Sequence, residues 1–173
     1  MISYLALGSN IGDREGHLRA AIRALPGHGI DVLGCASIYS TEPREVVDQP
    51  WFLNTVVQAD TSLSPGDLLA ACLDIERENH RTRERLKGPR TLDIDILFYG
   101  SEVVRMPGLT IPHPSFSDRR FVLEPLAEIA PDFVDPLTGE TIRQILRGCT
   151  DEATVIRVSD ARVFSRLLPN ERR

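Results

Sequence analysis

The spacing of apolar and polar positions changes period several times along the chain, and each change predicts an element. Ile2 to Leu7 alternate and are rich in β-formers, which predicts a strand stopped by Gly8-Ser9-Asn10. Asp13 is placed to cap a helix whose Leu18, Ala21, Ile22 and Leu25 recur at helical spacing, and Pro26-Gly27 ends it. A second strand is predicted from Val32 to Ser40. Thr41 to Pro50 is rich in charge and proline and reads as a turn region. Phe52 to Ala59 reads as a third strand. Ser64-Pro65-Gly66-Asp67 then opens a second helix, with Ser64 as cap, Pro65 at the first helical position and Asp67 as the capping-box acid. Leu68, Leu69, Cys72 and Ile75 form its apolar face. A basic loop leads to Thr91, and Leu92 to Tyr99 is a fourth strand.

This order, β-α-β-β-α-β, is that of the split βαβ, ferredoxin-like α+β arrangement. Its helices pack on one face of an antiparallel sheet and leave the other face to carry a site. Additions follow it: proline-rich loops, short helical patterns near Phe121 to Ile129 and Thr141 to Leu146, and Val155 to Val158, which can add an edge strand. We take 1–150 as the domain and 151–173 as a C-terminal extension with a frayed tail from Pro169.

Composition narrows the class. A formal charge of −5 argues against a general nucleic-acid binder. No run of about 18 apolar residues suggests a membrane span. Met1-Ile2-Ser3-Tyr4 lacks the basic start and apolar core of a signal peptide. The three cysteines, Cys35, Cys72 and Cys149, are far apart and form no C-x-x-C pair. A cytoplasmic monomer with reduced thiols is therefore expected, with no membrane or nucleic-acid partner.

The chemistry concentrates in one stretch. Asp93 and Asp95 are two residues apart on a strand, so both carboxylates face one way, while Ile94, Ile96 and Phe98 face the core. Two such acids suit a hard cation, and magnesium takes one or two carboxylates with waters and phosphate oxygens completing its shell. A bare D-x-D also occurs on ordinary solvated strands. The neighbours shift the balance. Arg81, Arg83, Arg85, Lys87 and Arg90 lie against a single acid, Glu84, in a chain of net negative charge. Arginine forks beside metal-binding carboxylates are what a polyphosphate requires. No Walker A loop or kinase glycine loop occurs, and Gly8-Ser9-Asn10-Ile11-Gly12 reads as a strand-to-helix turn.

Gly88-Pro89-Arg90-Thr91-Leu92-Asp93-Ile94-Asp95-Ile96-Leu97 closely resembles the signature of the 6-hydroxymethyl-7,8-dihydropterin pyrophosphokinases of folate biosynthesis. The resemblance runs from about residue 2 to about 147. It includes Ala6-Leu7-Gly8-Ser9-Asn10, Asp48-Gln49-Pro50, Phe52-Leu53-Asn54, Leu109 to Pro114 and Arg119 to Leu123. It implies transfer of the diphosphate of ATP to the pterin hydroxymethyl group, with AMP leaving and two Mg2+ ions held by Asp93 and Asp95. It also implies catalytic roles for Arg81, Arg83 and Arg90. Glu76, Ile96, Leu109, Thr110, His113 and Arg119 match ATP-site positions. Phe52 and Phe121 match aromatics that sandwich the pterin, and Asn54 the amide that reads its edge. Thr41, Glu42, Pro43 and Arg44 match a loop giving main-chain contacts. Leu86-Lys87 stand where many relatives carry an aromatic before the Gly-Pro-Arg. The competing readings are another magnesium-dependent nucleotide hydrolase or transferase, and a non-catalytic ferredoxin-like ligand-binding paralogue.

Overall fold

Antiparallel pairing organises the chain. The computed structural model describes residues 1–43, 48–79 and 89–160, together with Phe164. Arg44, Arg81, Arg83, Glu84, Arg85 and Lys87, and the tail from 165, lie outside the described residues. The central strand β1 (Ile2–Ser9) is flanked by β4 (Phe52–Thr61) on one side and β5 (Asp93–Tyr99) on the other. On the far edge of β4 lie β2 (Ile30–Cys35) and β3 (Ile38–Thr41), and β8 (Val155–Ser159) pairs with β3. All these pairings are antiparallel.

The helices begin where the sequence places them. Asp13 accepts the Gly16 N–H at the start of α1 (Arg14–Ala24), and a short 3-10 turn, Leu25–His28, follows. Ser64 accepts the Asp67 N–H to start α2 (Pro65–Glu78). Asp67 turns its carboxylate onto the Ser64 hydroxyl at 2.6 Å. Leu18, Ile22, Leu68, Cys72 and Ile75 pack beneath the sheet with Leu5, Leu7, Ile94 and Ile96 to make the first core. On the opposite face α3 (Arg120–Ile129) and α4 (Ile142–Gly148) cover Tyr4, Val56 and Phe98. The two helices reach over only part of that face. Ala6, Gly8, Asn54, Asp93 and Asp95 beyond them line a cavity.

Three differences from the sequence expectation have local causes. The strand expected over 32–40 is divided, because Glu128 of α3 captures Ser37. Its carboxylate accepts the Ser37 N–H at 3.0 Å and the hydroxyl at 2.7 Å, and also the Tyr39 hydroxyl at 2.8 Å. Phe98 does not join Ile94 and Ile96. Leu5 opposes Ile96 and Tyr4 opposes Phe98, so Leu97 is an extra, bulged residue. The bulge turns Phe98 to the second face, where its ring lies 4.7 Å from that of Phe133 and 4.9 Å from that of Phe116. Finally, β6 (Val104–Met106) and β7 (Leu109–Ile111) form a hairpin about Pro107-Gly108, in a stretch read only as loop. Gly108 has φ +78°, the left-handed region a glycine supplies at least cost. No helix among the described residues is long and apolar enough to cross a membrane.

Candidate active site

The register of three strands builds the floor of the site. Gly8 of β1 pairs with Asn54 on one side and Asp93 on the other, and Ala6 pairs with Asp95. Asp93 and Asn54 are therefore two strand spacings apart, about 10 Å, with only a glycine between them. A Cβ on Gly8 would lie 2.5 Å from the Asn54 Oδ1. The missing side chain is what lets the Asn54 amide sit in this row.

Asp93 and Asp95 do share the face that the alternation predicts. Arg90 Nε stands 3.0 Å from the Asp93 carboxylate. Burial raises the Asp95 pKa above the usual carboxylate range and the Asp93 charge raises it further, against the lowering influence of His113, Arg119 and Arg90. A partly desolvated carboxylate beside a second one is a site short of positive charge. Among the described residues no third histidine, cysteine or acid joins them in a cluster that could close around a metal. The donor set thus fits a hard cation that keeps several water or phosphate oxygens.

His113 lines the same cavity. Burial lowers its pKa, and the Arg119 charge lowers it further, against the raising influence of Asp95 and Asp93. Its Nδ1 accepts the Ser115 N–H at 3.2 Å, which leaves Nε2 as the protonated, donating nitrogen.

The other end of the cavity is aromatic and polar. Phe52, Phe121, Asn54, Thr41, Glu42 and Pro43 line it with Gln49, and the cavity volume is about 270 Å³. That is just below the usual range for ligand sites, roughly 300–1,000 Å³. Asn54 Nδ2 donates to Thr41 Oγ1 at 2.7 Å, which fixes the amide and leaves one N–H and Oδ1 unassigned by that bond. Each aromatic carries an arginine. The Arg90 guanidinium lies 5.3 Å from the Phe52 ring centroid, and that of Arg119 lies 5.8 Å from Phe121. The two aromatics are thereby joined to the charged end.

Two buried residues hold this arrangement from outside the cavity. Asn10 is 1% exposed. Its Oδ1 accepts the Arg90 N–H at 2.8 Å, and its Nδ2 donates to Gln49 Oε1 and to the Pro50 carbonyl, both at 3.0 Å. One amide thus ties the segment bearing Arg90 to the segment entering Phe52. Glu76 of α2 accepts the Ile94 N–H at 2.8 Å, gripping β5 between the two aspartates.

The structure brings Arg90, Asp93, Asp95, His113, Arg119, Thr41, Glu42, Pro43, Phe52, Asn54 and Phe121 to one cavity. It does not bring Glu76, Ile96, Leu109 or Thr110 into it. Glu76 lies behind β5, and Ile96 and Leu109 belong to the first core. Thr110 is exposed on the β6–β7 hairpin. Arg44, Arg81 and Arg83 are outside the described residues. Gly8, Asn10 and Gln49 had no assigned role, although all three stand in the motifs that carry the resemblance. Their roles depend on pairing partners far along the chain.

Comparison with known proteins identifies the family. The family model for 7,8-dihydro-6-hydroxymethylpterin-pyrophosphokinase matches residues 4–131. The chain is 48% identical over 145 residues to a 2-amino-4-hydroxy-6-hydroxymethyldihydropteridine pyrophosphokinase of Methylorubrum extorquens, covering 83% of this chain and 90% of that one. It is 50% identical over 129 residues to the protein of that name from Bacillus subtilis, covering 74% and 77%. Among solved structures, a Plasmodium falciparum HPPK-DHPS crystal structure with pteroate superposes with a TM-score of 0.71 at 16% identity. That match covers 85% of this chain and 42% of that one, and it speaks to the fold. With the family model covering most of the chain and these relatives near half identity, the chain belongs to the 7,8-dihydro-6-hydroxymethylpterin-pyrophosphokinase family, enzymes of folate synthesis.

Proposed function

We propose that the cavity is where the hydroxymethyl group of 6-hydroxymethyl-7,8-dihydropterin meets the phosphates of ATP, and that the residues lining it divide the work between the two substrates. The chain is a pyrophosphokinase. The pterin hydroxyl oxygen forms a bond to the β-phosphorus, the bond from that phosphorus to the AMP oxygen breaks, and the hydroxyl proton is released. Such a transfer asks the protein mainly for positioning and charge.

The pterin ring lies between Phe52 and Phe121, with Asn54 reading its edge through the remaining N–H and Oδ1. Thr41 fixes that amide, the main chain from Thr41 to Pro43 borders the slot, and the resemblance adds Arg44 to the residues that serve the pterin. Asp93 and Asp95 hold magnesium, two ions in our reading; when bound, the metal neutralises phosphate oxygens and supplies Lewis-acid polarisation. Arg90 orients Asp93. Arg119 and the neutral His113 present donors toward the phosphates. Arg81 and Arg83 complete the cationic side. Ile96, Leu109 and Thr110 border the nucleotide on the outer side of β5 through their main chain, the first two with side chains turned into the core, and Glu76 acts through the Ile94 N–H rather than by touching ATP. We place the enzyme in the reducing cytoplasm, a reading supported by three free cysteines of which two are buried, and take it as a monomer, which sedimentation tests.

The observation that carries this reading is the meeting, in one cavity, of a carboxylate pair with two aromatics and a fixed amide. A nucleotide hydrolase needs the first and has no use for the second. The test is incubation with ATP, magnesium and the pterin, with products separated. AMP and pterin diphosphate form together, only when pterin is present, and Asp95→Ala abolishes both. Phosphate release from ATP without pterin would favour the hydrolase, and an unchanged Asp95→Ala rate would remove the metal assignment.

A further inference from the structure

We propose that residues 151–154, just after α4, clamp together the two walls of the acceptor slot, so that Asp151 and Thr154 are positioning residues for the pterin. The proposal rests on the reading that this cavity takes the pterin. These residues lie beyond the stretch 4–131 that the family model matches.

One wall of the slot is Thr41 to Pro43, and the other is Arg119 and Phe121. No hydrogen bond among the described residues joins the two directly, but a short segment is bonded to both. On the first wall, Glu42 lies between two lining residues. Its N–H donates to the Thr154 carbonyl at 3.2 Å, and its carboxylate accepts the Thr154 N–H at 2.7 Å. On the second wall, Arg120 lies between Arg119 and Phe121. Its N–H, an otherwise orphaned group at the start of α3, donates to the Asp151 carboxylate at 2.9 Å. Its Nε donates to the Asp151 carbonyl, also at 2.9 Å. The second carboxylate oxygen of Asp151 accepts the Ala153 N–H at 3.1 Å, which folds the segment on itself. The anchors are three positions apart in the chain, so they cannot separate by more than about 10 Å while both sets of bonds hold.

The segment itself is held at both ends. Upstream, Ile142 and Ile145 of α4 are buried in the second core. Downstream, β8 continues the Glu42–Thr154 contact as a ladder on β3, from Thr41 opposite Val155 to Ile38 opposite Ser159. Phe164 then lies fully buried in the first core. A clamp needs such fixed ends, because a free tail bonded to two walls follows them instead of setting their separation. Asp151 and Thr154 do not line the cavity. They act through Arg120 and Glu42.

The consequence is selective. Loosening the clamp costs most for the substrate that must fit between Phe52 and Phe121, and much less for ATP, which loses only the placing of Arg119 and keeps its metal ligands on β5. The test uses the full chain. Asp151→Ala removes the Arg120 cap, and Asp151→Asn keeps one carbonyl oxygen to accept it. Thr154→Pro removes the N–H given to Glu42 together with the Thr154 hydroxyl beside it, and leaves the Thr154 carbonyl in place. Asp151→Ala and Thr154→Pro each raise the KM and the equilibrium dissociation constant for the pterin about tenfold, with kcat and the KM for ATP within about twofold of wild type. Asp151→Asn restores the wild-type values. Pterin constants unchanged in both, or pterin and ATP constants rising in parallel, overturn the clamp. If Asp151→Ala fails to fold, Thr154→Pro decides alone. A wild type that forms no pterin diphosphate overturns the functional reading instead, which keeps the two failures distinct.

Discussion

Gly8→Ala isolates the closest approach in the site. The backbone of Gly8 lies outside the left-handed region, so an alanine fits it without strain. The added Cβ would meet Asn54 Oδ1 at 2.5 Å, while the Asn54 Cγ at 3.7 Å and the Phe52 Cδ1 at 3.8 Å are ordinary contacts. A comfortable separation is about 3.4 Å, so the amide must retreat by about 0.9 Å. That retreat runs toward β3, where the Thr41 hydroxyl already stands 2.7 Å from the amide nitrogen, so the amide cannot back away in line and must swing out of the row, giving up that hydrogen bond. Both partners are buried, at 7% and 1% exposed. The cost is about 1–3 kcal/mol, and the amide that reads the pterin edge is displaced by the same movement.

The expected result is a rise in the pterin KM of roughly 5- to 150-fold, the equivalent of that free energy. The KM for ATP is unchanged, and the melting temperature falls by about 2–10 °C. Initial rates with each substrate varied in turn measure the first two, and calorimetry the third. The double variant Gly8→Ala/Asn54→Ala supplies the control. If the clash is the cause, it is no worse for pterin than Asn54→Ala alone, a strongly non-additive cycle. Additive losses, or a Gly8→Ala enzyme with wild-type pterin KM, refute the reasoning.

The remaining expectations use the same assays. Asn10→Ala breaks the link between the Arg90 and Phe52 segments, so it lowers kcat/KM for both substrates, by about 10- to 100-fold, and not for pterin alone. The raised Asp95 pKa means the metal-free folded chain keeps a proton that the unfolded chain releases, so its stability falls as pH rises from about 4 through the raised value. Magnesium bound to the ionised pair reverses this: thermal stabilisation by Mg2+ is present at pH 8, small at pH 4, and absent at both in Asp95→Asn, and equal shifts at the two pH values count against the pair as the metal site. Burial pushes the Cys35 and Cys72 thiols up to about 12, leaving about one part in ten thousand as thiolate at pH 8. Iodoacetamide therefore modifies only the partly exposed Cys149 in the native protein and all three cysteines in denaturant, as mass spectrometry will count.

Much of the fold was legible because its signals are local. The caps at Asp13 and Ser64 and the 3.6-residue spacing of Leu18, Ala21 and Ile22 are set within one or two turns of chain. The shared face of Asp93 and Asp95 was legible for the same reason: alternation needs no knowledge of the neighbouring strand. Phe98 shows where that logic stops. Three residues beyond Asp95 the alternation breaks, because β1 and β5 differ by one residue in the length they pair, and neither strand carries that difference in its own sequence. The break in the strand over 32–40 likewise depends on Glu128, 91 residues beyond Ser37.

The residues missed at the site follow the same division. Phe52, Asn54, Phe121, Asp93 and Asp95 advertise chemistry by type, and a motif can point to them. Gly8 contributes an absence of side chain, whose value appears only when Asn54 and Asp93 flank it in register. Asn10 makes its bonds 39, 40 and 80 residues away. Asp151 and Thr154 lie past the family match and reach 31 and 112 residues back. Chemistry in this enzyme is written in side chains that a short stretch can display, whereas the distances between those side chains are set by residues whose partners are remote. A change in the second group should therefore alter how well one substrate fits while leaving the reacting groups in place, which is why the variants at Gly8 and in the clamp are expected to separate the pterin constants from those for ATP.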